Sequence, residues 1–336
     1  MSESSLKQRY KSCRLIEHGL MFDHCNLVRV CSIVNKEHGG KPIIFHGYCG
    51  EKFDIEKFYE IKRHHRELMK NGTPPKECIE CHFLEEDDWD NEDYIDNLLF
   101  AHWIDCNSKC IYCIANEDTE LRQMNKHYDI YPAIEDLVEK GVLKSSGKVD
   151  FAGGEPTIFP EFEKLLTLFV SKDFHEICVN TSGIKYSPAI ENVLLNGKGL
   201  FSLTISVDAG SKEIHEKVKR VKSFDKVWAN IEKYSDAQMK SGKTDKITLK
   251  YLVVPDVNDK IEEFDLFLQK VIDCKITKVA LSLDMFWYEQ HKNEDNSELN
   301  EKFDYFIQKA QDLGLYVHIY PWAKWSMEDN VKRENV

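Results

Sequence analysis

Apolar residues recur in short runs, and the period of the pattern changes along the chain. From residue 94 onward, strand-like runs at 97–104, 148–152, 176–180, 200–208, 246–254, 276–283 and 315–320 alternate with segments of helical period. The helical segments lie at 131–143, 162–171, 188–195, 224–240, 261–272 and 297–313. Six strand–helix units and a closing strand predict an α/β protein with a parallel sheet and right-handed crossovers. Six units are too few for a closed eight-unit barrel and suit an open, partial TIM-like (β/α)6 barrel. Such a sheet presents its chemistry at the carboxyl ends of its strands, so the residues just after each strand are the candidate positions.

Before residue 94 the periodicity is weaker. The runs 18–22 and 27–33 flank Asp23-His24-Cys25-Asn26 and predict a hairpin. A helix is expected over 55–70, on a stripe of Ile55, Phe58, Tyr59, Ile61, Leu68 and Met69. It should stop at Asn71-Gly72, after which Pro74-Pro75 forces an extended entry into Cys78-Ile79-Glu80-Cys81. The acidic stretch 85–93 reads as a solvated linker. The expected organisation is therefore a small cysteine-rich domain over 1–93, a barrel over 94–325 and a tail over 326–336.

Composition narrows the classes. The 336 residues are 42% hydrophobic and 11% aromatic, which argues against a disordered chain. With 45 Lys+Arg against 58 Asp+Glu the net charge is −13, which disfavours a protein that grips nucleic acid. No run approaches the roughly 18 apolar residues of a membrane span, and the first twenty residues lack a signal-peptide core. A cytoplasmic protein is expected.

The cysteines are uneven, nine of the eleven lying within the first 113 residues. An odd number, several at short spacing and without a secretion signal, points to metal or cluster ligation rather than disulfides. After the first barrel strand comes Cys106-Asn107-Ser108-Lys109-Cys110-Ile111-Tyr112-Cys113, with three thiols and no fourth nearby. A structural zinc site wants four closed ligands. Three thiols in one tight loop can instead hold three irons of a [4Fe–4S] cube and leave the fourth open.

At these residues the sequence resembles the radical S-adenosylmethionine (SAM) superfamily, whose loop has this spacing with an aromatic residue, here Tyr112, before the last cysteine. The resemblance implies that the open iron chelates the amino and carboxylate groups of SAM. It continues in order along the strand ends. Gly153-Gly154-Glu155-Pro156-Thr157 is similar to the GGEP motif, whose backbone holds the SAM amino group while the acid stiffens the turn; the same residues also suit a plain glycine turn before a helix. Asn180 and Ser206-Val207-Asp208 match positions that contact the methionine carboxylate and ribose, although each could equally cap a helix. Val254 resembles the apolar wall against adenine. Lys250 interrupts the fifth strand on the face of Thr248 and Leu252; turned inward, it should meet a carboxylate of SAM or substrate, and turned outward it would reach solvent. The chemistry implied is reductive cleavage of SAM to methionine and a 5′-deoxyadenosyl radical that abstracts hydrogen from substrate, with flavodoxin or ferredoxin as reductant.

Cys13, Cys31, Cys78 and Cys81 form a second set. It resembles part of an auxiliary-cluster (SPASM or twitch) module, here before the barrel rather than after it and with Asn26 at a glycine position. Four thiolates suit a second [4Fe–4S] cluster and also a structural zinc, with Cys25 and Cys49 as substitute ligands and His82 as a neighbour. A second cluster implies net oxidation, by dehydrogenation or cross-linking, of a peptide or a sugar- or polyol-type substrate. An aromatic rim of Phe286, Trp287, Tyr288, His318, Tyr320, Trp322 and Trp325, with Asp284 and Glu289, either meets substrate or plugs the barrel. Cys178 and Cys274 read as buried small hydrophobes and His64-His65 as a solvated helix face. Other readings are a non-catalytic iron–sulfur carrier or sensor, and redox-neutral chemistry beside a structural zinc.

Overall fold

The computed structural model describes residues 7–24, 27–31, 44–46, 53–79, 81, 83–113 and 128–334. Cys25, Asn26, Cys49 and His82 lie outside the described residues. The chain divides into two compact units, the first made of 1–104, 120–154 and 160–177, the second of 105–119, 155–159 and 178–336. The division does not fall at residue 93, because the amino-terminal segment is built into the same sheet as the first barrel strand.

In the first unit that sheet runs in the order β7-β6-β2-β3-β4. It consists of β2 (Gly19–Asp23), β3 (Leu27–Arg29), β4 (Ile44–His46), β6 (Ile95–Ala101) and β7 (Leu143–Phe151). The expected hairpin is present as the antiparallel pair β2–β3, and β2 lies parallel to β6. The acidic stretch expected as a linker is instead β5 (Glu85–Trp89), antiparallel to β1 (Gln8–Ser12). Trp89 supplies the reason: it is buried and donates from its indole to the Tyr10 carbonyl, so this acidic strand is anchored by its one apolar residue. A short helix α1 (Arg14–His18) and α2 (Ile55–Lys70) lie between these strands in sequence, followed later by α3 (Tyr131–Glu139) and α4 (Phe162–Ser171). The core is a run of rings, Phe22, Phe100, Phe151, Phe162 and Phe169, placed stacked, tilted or edge-on.

The second unit carries the repeating α/β pattern with strand order β8-β9-β10-β11-β12. The strands are β8 (Glu176–Thr181, its last four residues in this unit), β9 (Leu200–Ser206), β10 (Ile247–Val253), β11 (Lys278–Leu283) and β12 (Tyr316–Ile319). Pairing from β9 to β12 is parallel, as the alternation of strand and helix requires. The helices are α5 (Pro188–Asn196), α6 (Lys212–Lys219), α7 (Phe224–Lys240), α8 (Ile261–Asp273), α9 (Met285–His291), α10 (Ser297–Asp312) and α11 (Pro321–Glu334). Helices α6, α9 and α11 have no counterpart in the sequence reading, and α11 replaces most of the expected tail. Tyr251 of β10 packs against Phe264, Phe267 and Phe306, which fixes one face of the sheet as the helix-covered, apolar one. Ser206 of β9 and Thr248 and Lys250 of β10 stay partly exposed on the other face, whereas Ala280 and Ser282 of β11 are buried there. The fold is thus the α/β architecture of parallel strands expected for a partial TIM-like barrel.

Candidate active site

The thiol loop belongs to the second unit and is held there by backbone and by one buried ion pair. Lys109 N donates to the Lys219 carbonyl and Ile111 N to the Val218 carbonyl, at 2.9 and 3.0 Å, so the loop lies along the end of α6. Just past these anchors Tyr112 donates its hydroxyl to Asp208 Oδ2 at 2.6 Å, and Lys219 Nζ donates to Tyr112 Oη at 3.0 Å and to the same Asp208 oxygen. The other Asp208 oxygen accepts Leu252 N at 2.8 Å. Asp208 is fully buried and Lys219 is 2% exposed. Burial opposes the Lys219 charge, but Asp208 outweighs it and keeps the ammonium pKa above the usual lysine value.

Asp208 was expected beside the cofactor ribose. Both its oxygens are engaged by protein donors instead, so its side chain braces the aromatic residue of the thiol loop. It sits in the left-handed region, φ 60°, where Asp is tolerated among non-glycine residues. Asn258, which the sequence reading missed, ties the same strand ends together: Nδ2 donates to the Asp208 and Leu252 carbonyls and Oδ1 accepts Val254 N. Lys219 was missed for a definite reason. It occupies the buried stripe of α6 with His215 and Val218, and a lysine in a charged helix reads by default as solvated.

Glu155 is 1% exposed and stiffens its turn as expected. Its Oε1 accepts Thr157 N, Thr157 Oγ1 and Thr181 Oγ1, and its Oε2 accepts Ser182 N at 2.7 Å. Ser182 Oγ in turn donates to Asn107 Oδ1 of the thiol loop at 3.0 Å. Within the first unit, Gly153 has φ 90°, and a Cβ there would come 2.7 Å from the Trp103 carbonyl, so only glycine fits. Gly154 N donates to that carbonyl at 2.5 Å. Ser206, Asn180 and Lys250 lie partly exposed, and Val254 is buried. Cys178 shares the partly exposed face of β8 with Asn180, which corrects its reading as a buried hydrophobe; Cys274 is buried as expected.

Cys106, Cys110 and Cys113 are partly exposed. Burial pushes the Cys106 thiol up to about 11, and the nearby charges of Glu155, Cys110 and Cys113 push the same way, while the Ser108 amide, 3.4 Å from Cys106 Sγ, pulls it down. The protein alone therefore leaves this thiol protonated, and a bound metal is what would ionise it. Among the described residues no group of three or more His, Cys, Asp or Glu side chains is arranged to hold a single metal ion. A cube gives each thiolate its own iron, so its ligands need not converge on a point. Three soft donors in mutual electrostatic reach, with an amide aimed at one sulfur, fit such a group.

In the first unit, Cys13 and Cys78 are buried and Cys31 and Cys81 partly so. Burial raises Cys78 to about 12, and the charges of Cys13, Cys31 and Cys81 push the same way. Cys81 N donates to the Cys78 carbonyl, closing the C-x2-C turn. The expected solvated face of α2 is only half right. His64 is exposed, but His65 is partly buried and lowered to about 4, and Lys62 is 0% exposed. Lys62 Nζ donates to the Leu15 and Gly19 carbonyls at 3.1 and 2.9 Å, capping α1 at its carbonyl end. Arg66 and Glu17 are buried beside it, with Tyr10 and Ser12 donating to Glu17.

The sequence pattern of the Radical SAM superfamily matches residues 101–268. A GTP 3′,8-cyclase from Clostridium botulinum is 26% identical over 155 residues, covering 46% of this chain and 48% of that protein. Molybdenum cofactor biosynthesis protein moc-5 of Caenorhabditis elegans is 29% identical over 128 residues, covering 38% of this chain and 21% of that protein. The chain spans about half the length of the curated cyclase it matches. Among solved structures, Streptococcus suis SuiB bound to S-adenosylmethionine superposes with a TM-score of 0.52 at 13% identity, over 78% of this chain and 55% of that one. The same protein bound to precursor peptide SuiA gives 0.51 at 11%, over 93% and 73%.

Proposed function

The chain belongs to the radical SAM superfamily, which uses a [4Fe–4S] cluster and S-adenosylmethionine, and from that premise we propose that Cys106, Cys110 and Cys113 hold the cluster. When bound, the cluster and SAM supply one-electron reductive cleavage to a 5′-deoxyadenosyl radical that takes hydrogen from an unactivated C–H. The observation that carries the reading is the bracing of the loop: two backbone hydrogen bonds to α6 and the Tyr112–Asp208–Lys219 group anchor the segment that carries the thiols. Gly153, Gly154, Glu155, Asn180, Ser206 and Val254 are assigned to SAM. Glu155 acts through the turn that it locks, and Asp208 through Tyr112.

Substrate is assigned to the partly exposed face of β8 to β12, where the chain's task is to position a carbon and exclude water. The outcome proposed is net oxidation of a peptide or a sugar- or polyol-type compound, with flavodoxin or ferredoxin as electron donor. Its support is the second thiol set, Cys13, Cys31, Cys78 and Cys81, proposed as an auxiliary cluster within an amino-terminal 1–93 segment. No helix among the described residues is long and apolar enough to cross a membrane.

Anaerobic reconstitution followed by SAM and dithionite tests both parts. About eight Fe per chain and release of 5′-deoxyadenosine are expected. About four Fe with a bound zinc would replace the auxiliary cluster by a structural site. Iron without 5′-deoxyadenosine would favour an electron carrier or sensor.

A further inference from the structure

On the face of the second unit turned away from its helices, one cation has no anion. Lys250 lies in the middle of β10, paired across the sheet with Ser206 of β9 and Ala280 of β11, and Ala280 pairs in turn with His318 of β12. Residues in direct register on parallel strands share a face, so Ser206, Lys250, Ala280 and His318 form one row. Tyr251, the next residue, points into the aromatic core, which confirms that Lys250 points the other way. Ala280, the small residue of the row, is buried beneath the longer side chains on either side. Lys250 leans across it, with Nζ 4.6 Å from the Tyr320 ring centroid, and Tyr320 meets His318 edge-on at 4.9 Å.

Among the described residues the Lys250 ammonium makes neither a hydrogen bond nor an ion pair. The carboxylate whose charge it senses is Asp208, already engaged by Lys219, Tyr112 and Leu252 N. Burial lowers its pKa, Asp208 acts against this, and Lys219 adds to it. A partly buried ammonium held over a ring by cation–π attraction alone is under-satisfied, since a charge taken from water is normally repaid by a hydrogen-bonded counter-ion. Its surroundings supply what a bound anion wants: a hydroxyl at the partly exposed Ser206 and the exposed imidazole of His318.

We propose that Lys250, with Tyr320 behind it and Ser206 and His318 on either side, is the substrate's anion subsite, taking a carboxylate or phosphate group rather than the methionine carboxylate of SAM. The inference rests on the radical SAM reading for which face admits substrate. It narrows the substrate class: a neutral sugar or polyol would leave the ammonium as it is, whereas an acidic sugar, a nucleotide or a peptide carboxylate would satisfy it.

Anaerobic calorimetry on reconstituted protein tests it in two arms. SAM is titrated into wild type, Lys250→Met and Lys250→Arg; affinities within about threefold are expected, and a loss of tenfold or more in Lys250→Met, about 1.4 kcal/mol, assigns the lysine to SAM and overturns the proposal. With SAM bound, N-acetyltyrosine, neutral N-acetyltyrosinamide and inorganic pyrophosphate are then titrated. At least one anion should bind about tenfold more tightly than the amide in wild type and in Lys250→Arg, and that preference should vanish in Lys250→Met. The tighter anion tells carboxylate from phosphate. Equal binding of all three by wild type, or a preference that survives in Lys250→Met, overturns the subsite. Wild-type protein that takes up neither iron nor SAM would instead break the reading of the thiol loop, and the anion arm is then read on the apoprotein.

Discussion

Each of the two thiol-rich regions has a fully buried lysine beside it, and the two lysines are handled in opposite ways. Lys219, at the end of α6, is paired with Asp208, and its pKa is raised. Lys62, in the middle of α2, donates to the carbonyls of Leu15 and Gly19 and lies over the Phe58 ring, with Glu17 and Cys13 within electrostatic reach. Its pKa falls to about 7, through burial and then the charge of Arg66. Both positions put positive charge near sulfur. In the second unit Asp208 balances the charge before any metal arrives, so the bracing of the loop is complete in the protein alone. In the first unit the balance is incomplete, and thiolates at Cys13 and its companions would complete it. A preorganised site and one finished by its ligand are thus distinguishable from charge bookkeeping on two residues.

Several measurements would break or sharpen that contrast. The largest effect is expected from Cys110→Ala, which should remove the open cluster and lower 5′-deoxyadenosine formation by about a thousandfold or more, read by product assay with iron analysis. If the regions are independent, about four Fe should remain at the first-unit site.

Asp208→Asn should come next. It leaves Lys219 buried without its counter-ion and should cost about 3–5 kcal/mol in urea unfolding of the apoprotein, whereas Asp208→Leu combined with Lys219→Met should recover most of the loss. An Asp208→Asn protein as stable as wild type would end the claim that this pair braces the loop.

A pH effect of intermediate size follows from His215. It is 1% exposed, between the Val207 carbonyl and Ser223 Oγ, and burial, then Lys219, lower its pKa to about 4. A base with a folded pKa below its unfolded value binds fewer protons folded than unfolded. Its stabilisation is therefore complete above the unfolded value near 6.5 and is lost as pH falls toward about 4, a change of roughly 3 kcal/mol. His215→Gln should flatten that part of the stability-against-pH curve.

The smallest effect is expected from Lys62→Met. Loss of two carbonyl partners is offset by removal of a buried charge, so apoprotein stability should change by only about 1–2 kcal/mol. A cost as large as that of Asp208→Asn would show that the two lysines are equivalent and erase the comparison.

Much of the barrel could be read from local pattern. The helices at 162–171 and 224–240 stand at the predicted residues, because each buries a largely apolar stripe whose period is a local property. The thiol loop was visible for a similar reason, since a short loop brings its three sulfurs together by spacing alone. The strand at 85–89 was not visible. Four consecutive acids read as solvent-facing, and only the distant partner strand β1 and the burial of Trp89 make them a strand. Helix α6 was hidden likewise, because its buried face is built from His215 and Lys219, whose partners lie elsewhere in the chain.

The sequence by itself determined the superfamily, the order of the strand ends that present its motifs, and the parallel α/β class. These depend on spacing and hydrophobic period, which are one-dimensional quantities. Only the tertiary structure decided what the charged residues do. Whether a lysine is a solvated surface group, one half of a buried pair, or an ammonium waiting for an anion depends on which carboxylate lies within a few ångströms. For Lys219 that carboxylate is 11 residues away along the chain; for Lys62 and Lys250 the protein places none within hydrogen-bonding distance among the described residues. Coulomb and desolvation energies depend on distance and burial, so the same residue type carries three different roles in one fold.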